Sequence, residues 1–459
     1  MTSRPNHQQP ARSAKFFWIL GFSIAVFIGL LSPAAHADTV LAPSIPVGNT
    51  PFGVAITPNG QYAYITNWGS GTVTVIETAT NTVADTITVG ARPEGLVIAP
   101  DGKHVYVNDN GDGSVSVIDT ATNAVVDTWA VGHSPYGIAI TPEDGKFLYV
   151  VNNTTPGTVS VIDTASGALA DTITVGNQPA DVAITPDGNF AYVANSSDGT
   201  VSVIDTASHD VVQTITVSTT DLNLYDVAFT PDGRYAYVTD EGGSTVSVID
   251  TAIHAVLTTI SVPGNLGVAV TPDGKFAYVA TTRSSVSVID TATNTIVNTL
   301  SIGSSTYYVA ITLDGQFAYV TDLVGPPGAV SVIALDPVIT ANLPDGTVNV
   351  AYASTIKVAN ASSTAFSVSG DLPDGLNLDP STGALTGTPT TVGSSAFTVT
   401  ATSTINGLQA VITQQYTLVV KDAPSTTNTT AIPTLSDLAL TLLALLLGAS
   451  AVAAHRRRR

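Results

Sequence analysis

Seven near-copies of one string of about forty residues fill the middle of this chain, and that repeat limits the fold more than composition does. The fullest copy begins VAITPDGNFAYVANSSDG at Val182 and continues TVSVIDTASHDVVQTITV to Val217. The closing glycine of its TPDG turn recurs as Gly60, Gly102, Gly145, Gly188, Gly233, Gly274 and Gly315, at spacings of 41 to 45 residues. Such a period marks a solenoid or a propeller. Each copy holds four short apolar runs, in the fourth copy 182–185, 190–195, 200–205 and 211–217. They are rich in Val, Ile, Tyr and Thr and are bounded by Gly, Asp, Asn, Ser and Pro, the composition of strands and turns, with none of the three-to-four spacing of a helix. In Thr185-Pro186-Asp187-Gly188 the proline presets φ and the glycine supplies a positive φ. Asp205 opens the last hairpin as a short acceptor for turn N–H groups. Each copy is expected to be a four-stranded antiparallel sheet.

One such sheet cannot stand alone. Ordering forty residues costs roughly 60 kcal/mol of chain entropy, and each buried Val or Ile returns about 1.5–3 kcal/mol. The inner runs are apolar almost throughout, as in sheets covered on both faces, and radial stacking of blades provides that cover while leaving short edges. The ends of the array indicate closure. The seventh copy has runs at 309–312, 317–321 and 329–333 and no fourth, whereas TVLAPSIPVG at 39–48 aligns with the fourth-strand text at 82–90. Residues 39–47 are therefore expected to supply the outer strand of the last blade, with Val40, Ile45 and Val47 as its apolar cover. The motifs YVVN, YVAN, VSVID, TPDG and TITVG resemble the YVTN repeats of bacterial seven-bladed propellers. The resemblance covers about residues 39–335 and implies the fold; propellers host unrelated activities.

The flanks carry other information. Arg4, Arg12 and Lys15 precede an apolar run at 16–31 and then Ser32-Pro33-Ala34-Ala35-His36-Ala37, the pattern of a secretory signal peptide cut between Ala37 and Asp38. Between them, residues 38–431 hold 8 basic and 34 acidic residues. That surface repels phosphate backbones, so no nucleic-acid partner is expected. The chain has no Cys, which leaves no disulfide framework. Beyond Pro337 the text changes to six or seven short strands. LPDGLNLDPSTGALTGTP at 372–389 resembles the Ig-like (cadherin-like) domains of bacterial surface proteins, which implies a β-sandwich acting as a spacer or adhesive module, with closing strands at 397–401 and 416–420. A polar linker, 422–431, leads to Ile432-Pro433-Thr434-Leu435, an apolar run at 438–454 and four terminal arginines. This arrangement resembles the IPTL-type C-terminal sorting signals of Gram-negative bacteria, which implies a membrane sorting protease as a partner; Leu438 stands where those signals commonly carry Trp. The physical span alone also fits a single-pass anchor with its arginines in the cytoplasm.

The expected fold class is thus all-β: a seven-bladed β-propeller closed by an N-terminal strand (38–336), an Ig-like β-sandwich (337–421), and terminal apolar helices at 1–37 and 432–459. The sandwich is expected to be dispensable for the propeller's stability.

Ligands of propellers sit at the mouth of the central channel, and two rings of residues align there. The first is Phe52, Glu94, Tyr136, Ala180, Tyr225, Leu266 and Tyr307, before the entry to each first strand; it varies where the frame repeats and mixes aromatics with an acid. The second, ending each second strand, is Asn67, Asp109, Asn152, Asn195, Asp240, Thr281 and Asp322. The two rings set Glu94 near Asp109. The repeat tyrosines Tyr64, Tyr106, Tyr149, Tyr192, Tyr237, Tyr278 and Tyr319 pack between blades, and Asp119, Asp163, Asp205, Asp250 and Asp290 form turns. One calcium-like loop exists, with Asn108, Asn110 and Asp112 at alternate positions; a polar hairpin turn explains the same residues. The histidines are scattered over different blades, without the clustering of a zinc or copper site, and no nucleophile elbow, Walker loop or dinucleotide fingerprint occurs. The expected function is that of an exported, surface-anchored, non-enzymatic propeller binding a partner, polymer or small ligand. The alternative is a propeller enzyme of the lactonase or dehydrogenase type.

Overall fold

The structure, a computed structural model, describes residues 38–423 apart from 221, 324, 336–338, 341–342, 359–360 and 406–407. The expected signal peptide and the IPTL tail lie outside the described residues.

Six four-stranded antiparallel sheets follow one another in chain order, from Pro51–Ile56 at the start of blade 1 to Thr295–Ser301 at the end of blade 6. Blade 4 comprises Pro179–Ile184, Phe190–Asn195, Thr200–Asp205 and Val211–Thr216, paired in that order. The first hairpin closes as its residues dictate. Gly188 has φ 74°, the Thr185 hydroxyl donates to Asp187 Oδ1 at 2.5 Å, and Thr185 Oγ1 accepts from Phe190 N at 3.0 Å. In the last hairpin Asp205 Oδ1 accepts from Ala207 N and Ser208 N, which holds its carboxyl below the usual range.

The middle strands are buried on both faces; Val201, Val203 and Ile204 are fully enclosed. Six of the seven repeat tyrosines, all but Tyr106, bridge one blade to the next through their hydroxyls. Tyr64 donates to Asn123, Tyr237 to Asn294 and Tyr319 to Asn81, at 2.6–2.8 Å, while the Tyr192 hydroxyl meets His254 Nδ1 at 2.6 Å. In each case the acceptor side belongs to the hairpin between the third and fourth strands of the following blade, at a residue with positive φ.

Blade 7 has no such hairpin, because its strands come from both ends of the array. Thr306–Ile311, Phe317–Asp322 and Ala329–Ala334 are completed by Thr39–Pro46, paired antiparallel from Thr39↔Ala334 to Pro46↔Ala329. The place of the hairpin side chain is taken by Asp38, whose Oδ2 accepts from Tyr278 Oη at 2.7 Å. Leu41, Ile45 and Val47 are the buried residues of the closing strand, and Val40 is half-buried. Leu41 was not among the expected cover. A bulge between Leu41 and Ile45 shifts the inward register.

Among the described residues the segment after the propeller forms nine strands, several of only two or three residues and three of 10 to 14, where six or seven short ones were expected. Ala361–Gly370, Gly393–Ile405 and Leu408–Lys421 make one sheet, with Phe397 opposite Tyr416; Tyr352–Thr355, Ala384–Gly387 and Leu376–Leu378 make another. In the LDPSTG turn Asp379 accepts from the backbone of Ser381 and Thr382 and from the Ser381 hydroxyl, which draws its carboxyl down to about 2.

The sandwich is not a detached spacer. The bulge carries Ala42 to the edge of the sandwich, where it pairs with Gln409, so one sheet runs from blade 7 into the second domain. Leu41, Ile45 and Phe317 belong to the same apolar cluster as Phe366, Phe397 and Ile412. Two outcomes follow. Deleting residues 38–48 bares the Ala329–Ala334 edge and exposes partners of Leu41, Ile45 and Val47, each worth about 1.5–3 kcal/mol; thermal melts should show loss of the cooperative propeller transition or aggregation. Deleting residues 339–459 should lower the propeller's melting temperature by several degrees rather than leave it unchanged.

Candidate functional site

The innermost strand of every blade lines the channel, and its second residue is the first ring of the sequence reading. The preceding blade holds these residues by their carbonyls. Thr321 Oγ1 donates to Phe52 O at 2.8 Å, Thr66 Oγ1 to Glu94 O at 2.6 Å, and Asn108 Nδ2 to Tyr136 O at 2.9 Å. Fixed in this way, the side chains from blades 1, 3, 5 and 7 close a circuit. Ring centroids lie 5.7 Å apart for Phe52 and Tyr136, 6.3 Å for Tyr136 and Tyr225, 6.4 Å for Tyr225 and Tyr307, and 5.2 Å for Tyr307 and Phe52. The hydroxyls of Tyr136 and Tyr225 meet at 3.4 Å. Leu266 joins the cluster, and Tyr308, next in sequence to Tyr307, contacts both Phe52 and Tyr225.

Glu94 is the acidic member of the ring, and it is buried. Its carboxylate accepts from Trp68 Nε1 at 3.1 Å and from Asn110 Nδ2 at 3.4 Å, and Arg92 lies over the Trp68 ring at 5.1 Å. Burial pushes the Glu94 carboxyl up to about 8, against the opposing pull of the Trp68 hydrogen bond and the Arg92 charge.

One residue further along each first strand the frame reads Gly53, Gly95, Gly137, Asp181, Asp226, Gly267 and Tyr308. The two aspartates are buried and share a donor, Val227 N, which lies 2.8 Å from Asp226 Oδ1 and 3.3 Å from Asp181 Oδ2. Burial raises both carboxyls, Asp181 further because the Asp226 carboxyl is its neighbour. Each also ties one blade to the next. Asp181 Oδ2 accepts from Val227 N at 3.3 Å, and Asp226 Oδ2 from Val268 N at 2.7 Å. This carboxyl pair, together with Trp68 and Tyr308, was missed in the sequence reading. The signal was available: three bulky or charged residues stand in a column otherwise made of glycine.

The second ring is not brought to the mouth. Asn67, Asp109, Asn152, Asn195, Asp240, Thr281 and Asp322 are all buried inside the blades. Asn67 Nδ2 donates to Thr72 and Thr74, Asn152 Nδ2 to Thr158 and Ser160, Asp109 accepts from Ser116 at 2.6 Å, and Asp322 from Ser331 at 2.5 Å. Asp240 accepts from Gly243 N. These bonds run outward to the third strand or its turn. Glu94 and Asp109 therefore do not form a pair; each carboxyl is committed to different partners. The calcium-like loop is likewise dispersed. The Asn108 amide donates to carbonyls of blade 3, the Asn110 amide faces Glu94, and Asp112 Oδ2 accepts from Ala91 N at 2.7 Å.

Seven four-stranded blades around an aromatic-plugged channel, with an immunoglobulin-like sandwich on the closing blade, define the class. A family model described as YNCE-like beta-propeller matches residues 24–316, and this chain belongs to that family. The family described as Putative Ig domain matches residues 334–433, and the IPTL-CTERM motif matches residues 430–459, a C-terminal sorting signal that carries with it export and a cell-surface location. Among solved structures, a chain of Kuenenia stuttgartiensis hydrazine synthase is similar at 26% identity and a TM-score of 0.57, over 62% of this chain and 96% of that one. No curated protein matches the chain.

The raised carboxyls set a pH dependence. Glu94 at about 8, Asp322 at about 7 and Asp109 at about 6 hold their protons more tightly in the folded protein than in the unfolded chain. Their contribution to stability is complete below the ordinary carboxyl range of about 4 and is lost as pH rises through about 6 to 8. Calorimetry should show a melting temperature several degrees lower at pH 8 than at pH 5, and Glu94→Gln should flatten the upper part of that decline.

Proposed function

We propose that the propeller is a binding module of the cell surface that takes an extracellular partner, polymer or small ligand at the channel mouth. The observation that carries this reading is the convergence of Phe52, Tyr136, Tyr225 and Tyr307, from four separate blades, beside the buried Glu94. Aromatic side chains supply contact area with little loss of rotamer freedom, and the Glu94 carboxyl with its Trp68 and Asn110 partners sets polar groups beside them. In this reading the activity is non-enzymatic, the sandwich holds the propeller away from the membrane, and the tail is read by a membrane sorting protease.

The Asp181–Asp226 pair favours a second reading, an enzyme that uses one protonated and one ionised carboxyl as acid and base. Its hydrogen bonds to Val227 and Val268 account for the pair as a tie between blades, which supports the binding reading first. A glycan and small-molecule array on the full-length exported protein tests the two. Tyr136→Ala and Tyr307→Ala should each weaken a captured ligand at least about tenfold, while Asp181→Asn leaves the ligand chemically unchanged and still bound. Turnover of the captured compound that disappears in Asp181→Asn would establish the enzyme instead. Deleting residues 432–459 should release a folded protein into the medium; retention at the surface would place the anchor elsewhere.

A further inference from the structure

Away from the channel, the boundary between blades 2 and 3 departs from the repeat in three ways at one place. Where the fourth strand of the other blades carries Ile87, Ile173, Ile215, Ile260, Leu300 or Ile45 opposite the first valine of strand three, blade 2 carries Trp129 opposite Val115. Where the neighbouring hairpin offers Asn81, Asn123, His209, His254 or Asn294, blade 3 offers Gly167, and a side chain there would collide with the Trp129 indole. Where the other blades have a four-residue turn ending in glycine, blade 3 reads Thr141-Pro142-Glu143-Asp144-Gly145, one residue longer.

The consequence is an opening. A cavity of about 700 Å³ lies between the two blades, against about 320 Å³ for the equivalent groove between blades 5 and 6. His104, Tyr106 and Trp129 line it in a row, with centroids 6.2 and 5.6 Å apart. Tyr106 is only 4% exposed. Its hydroxyl is the one among the seven repeat tyrosines with no hydrogen-bond partner among the described residues, because the hairpin side chain that would meet it is Gly167. Asp127, Glu143 and Asp144 stand around the rings, and Trp129 Nε1 donates to Asp127 Oδ2 at 2.8 Å. Asp101 also lines the cavity and is paired with Lys103 at 3.2 Å.

We propose that this groove is a binding site for an organic ammonium ion, a quaternary or alkylated amine of the size of choline or a modified lysine side chain. Tyr and Trp faces attract such cations, and the carboxylates offset their charge. An anion would be repelled by the same carboxylates. A bare metal ion gains nothing from the rings, and no group of three His, Asp or Glu able to hold one occurs among the described residues. The groove lies at the TPDG-turn end of the strands, the end opposite the channel mouth, so its occupancy is independent of the mouth site.

Isothermal titration of the full-length exported protein with choline, with its neutral carbon isostere 3,3-dimethyl-1-butanol, and with glucose tests the assignment. Choline should bind with a Kd of about 1 mM or tighter, and the isostere at least about tenfold more weakly. Trp129→Ile, which restores the repeat residue, should abolish binding. Asp127→Asn, which is isosteric and keeps an acceptor for the indole, should weaken it at least about tenfold with an unchanged melting temperature. Equal binding of choline and the isostere, binding of glucose alone, no binding of choline, or full affinity in both variants would overturn the proposal.

Discussion

The ring depends on one strand pairing that the chain's local order cannot supply. Blades 1 to 6 each form from contiguous sequence, so their hairpins close locally, with little loop entropy to overcome. Blade 7 requires Thr39–Pro46 to meet Ala329–Ala334 across nearly the whole propeller. That contact supplies the row of ladder hydrogen bonds that removes the last open edge. It also lets Asp38 stand in for a missing hairpin and accept from Tyr278, so that the succession of inter-blade tyrosine bonds passes the seam. The same strand presents its other edge to the sandwich at Ala42, and for that reason the second domain shares a core with the first.

Where the repeat is kept, the side chains build blades; where it is broken, they face a space. The channel ring breaks it with aromatics in odd-numbered blades, and with Asp181, Asp226 and Tyr308 in a column of glycines. The groove between blades 2 and 3 breaks it with Trp129 and Gly167. In both places the glycine is informative through what it admits. Gly167 admits an indole edge, and Gly137 leaves room for the Asp181 carboxyl. A repeat protein thus displays its sites as mismatches against its own internal alignment, with no relatives needed for comparison.

Most of the fold was legible because strands, turns and period are local properties. The four strands per copy, the TPDG turn geometry and the closing strand all follow from residue type and spacing. The first ring was legible for the same reason, since a fixed frame fixes which residue enters the channel. Three things were not legible. The outward turn of Asn67 and Asp109 depends on Thr72 and Thr74 waiting on the next strand to receive hydrogen bonds and on Ser116 waiting there to donate one. The Asp181–Asp226 contact joins residues of different blades, and period alone does not give the distance between blades. The continuity with the sandwich depends on a bulge at residues 42–44 that no periodicity announces.

The position of the closing strand also orders events in time. A chain that leaves the ribosome or crosses a membrane N-terminus first presents residues 39–46 before any blade exists, and their partner strand, 329–334, arrives last. Six blades can assemble while the first strand waits unpaired, and the ring cannot seal until the seventh has emerged. The protein is therefore unable to lock itself shut partway through passage, which suits a route that carries polypeptide in an open state and leaves folding to the far side.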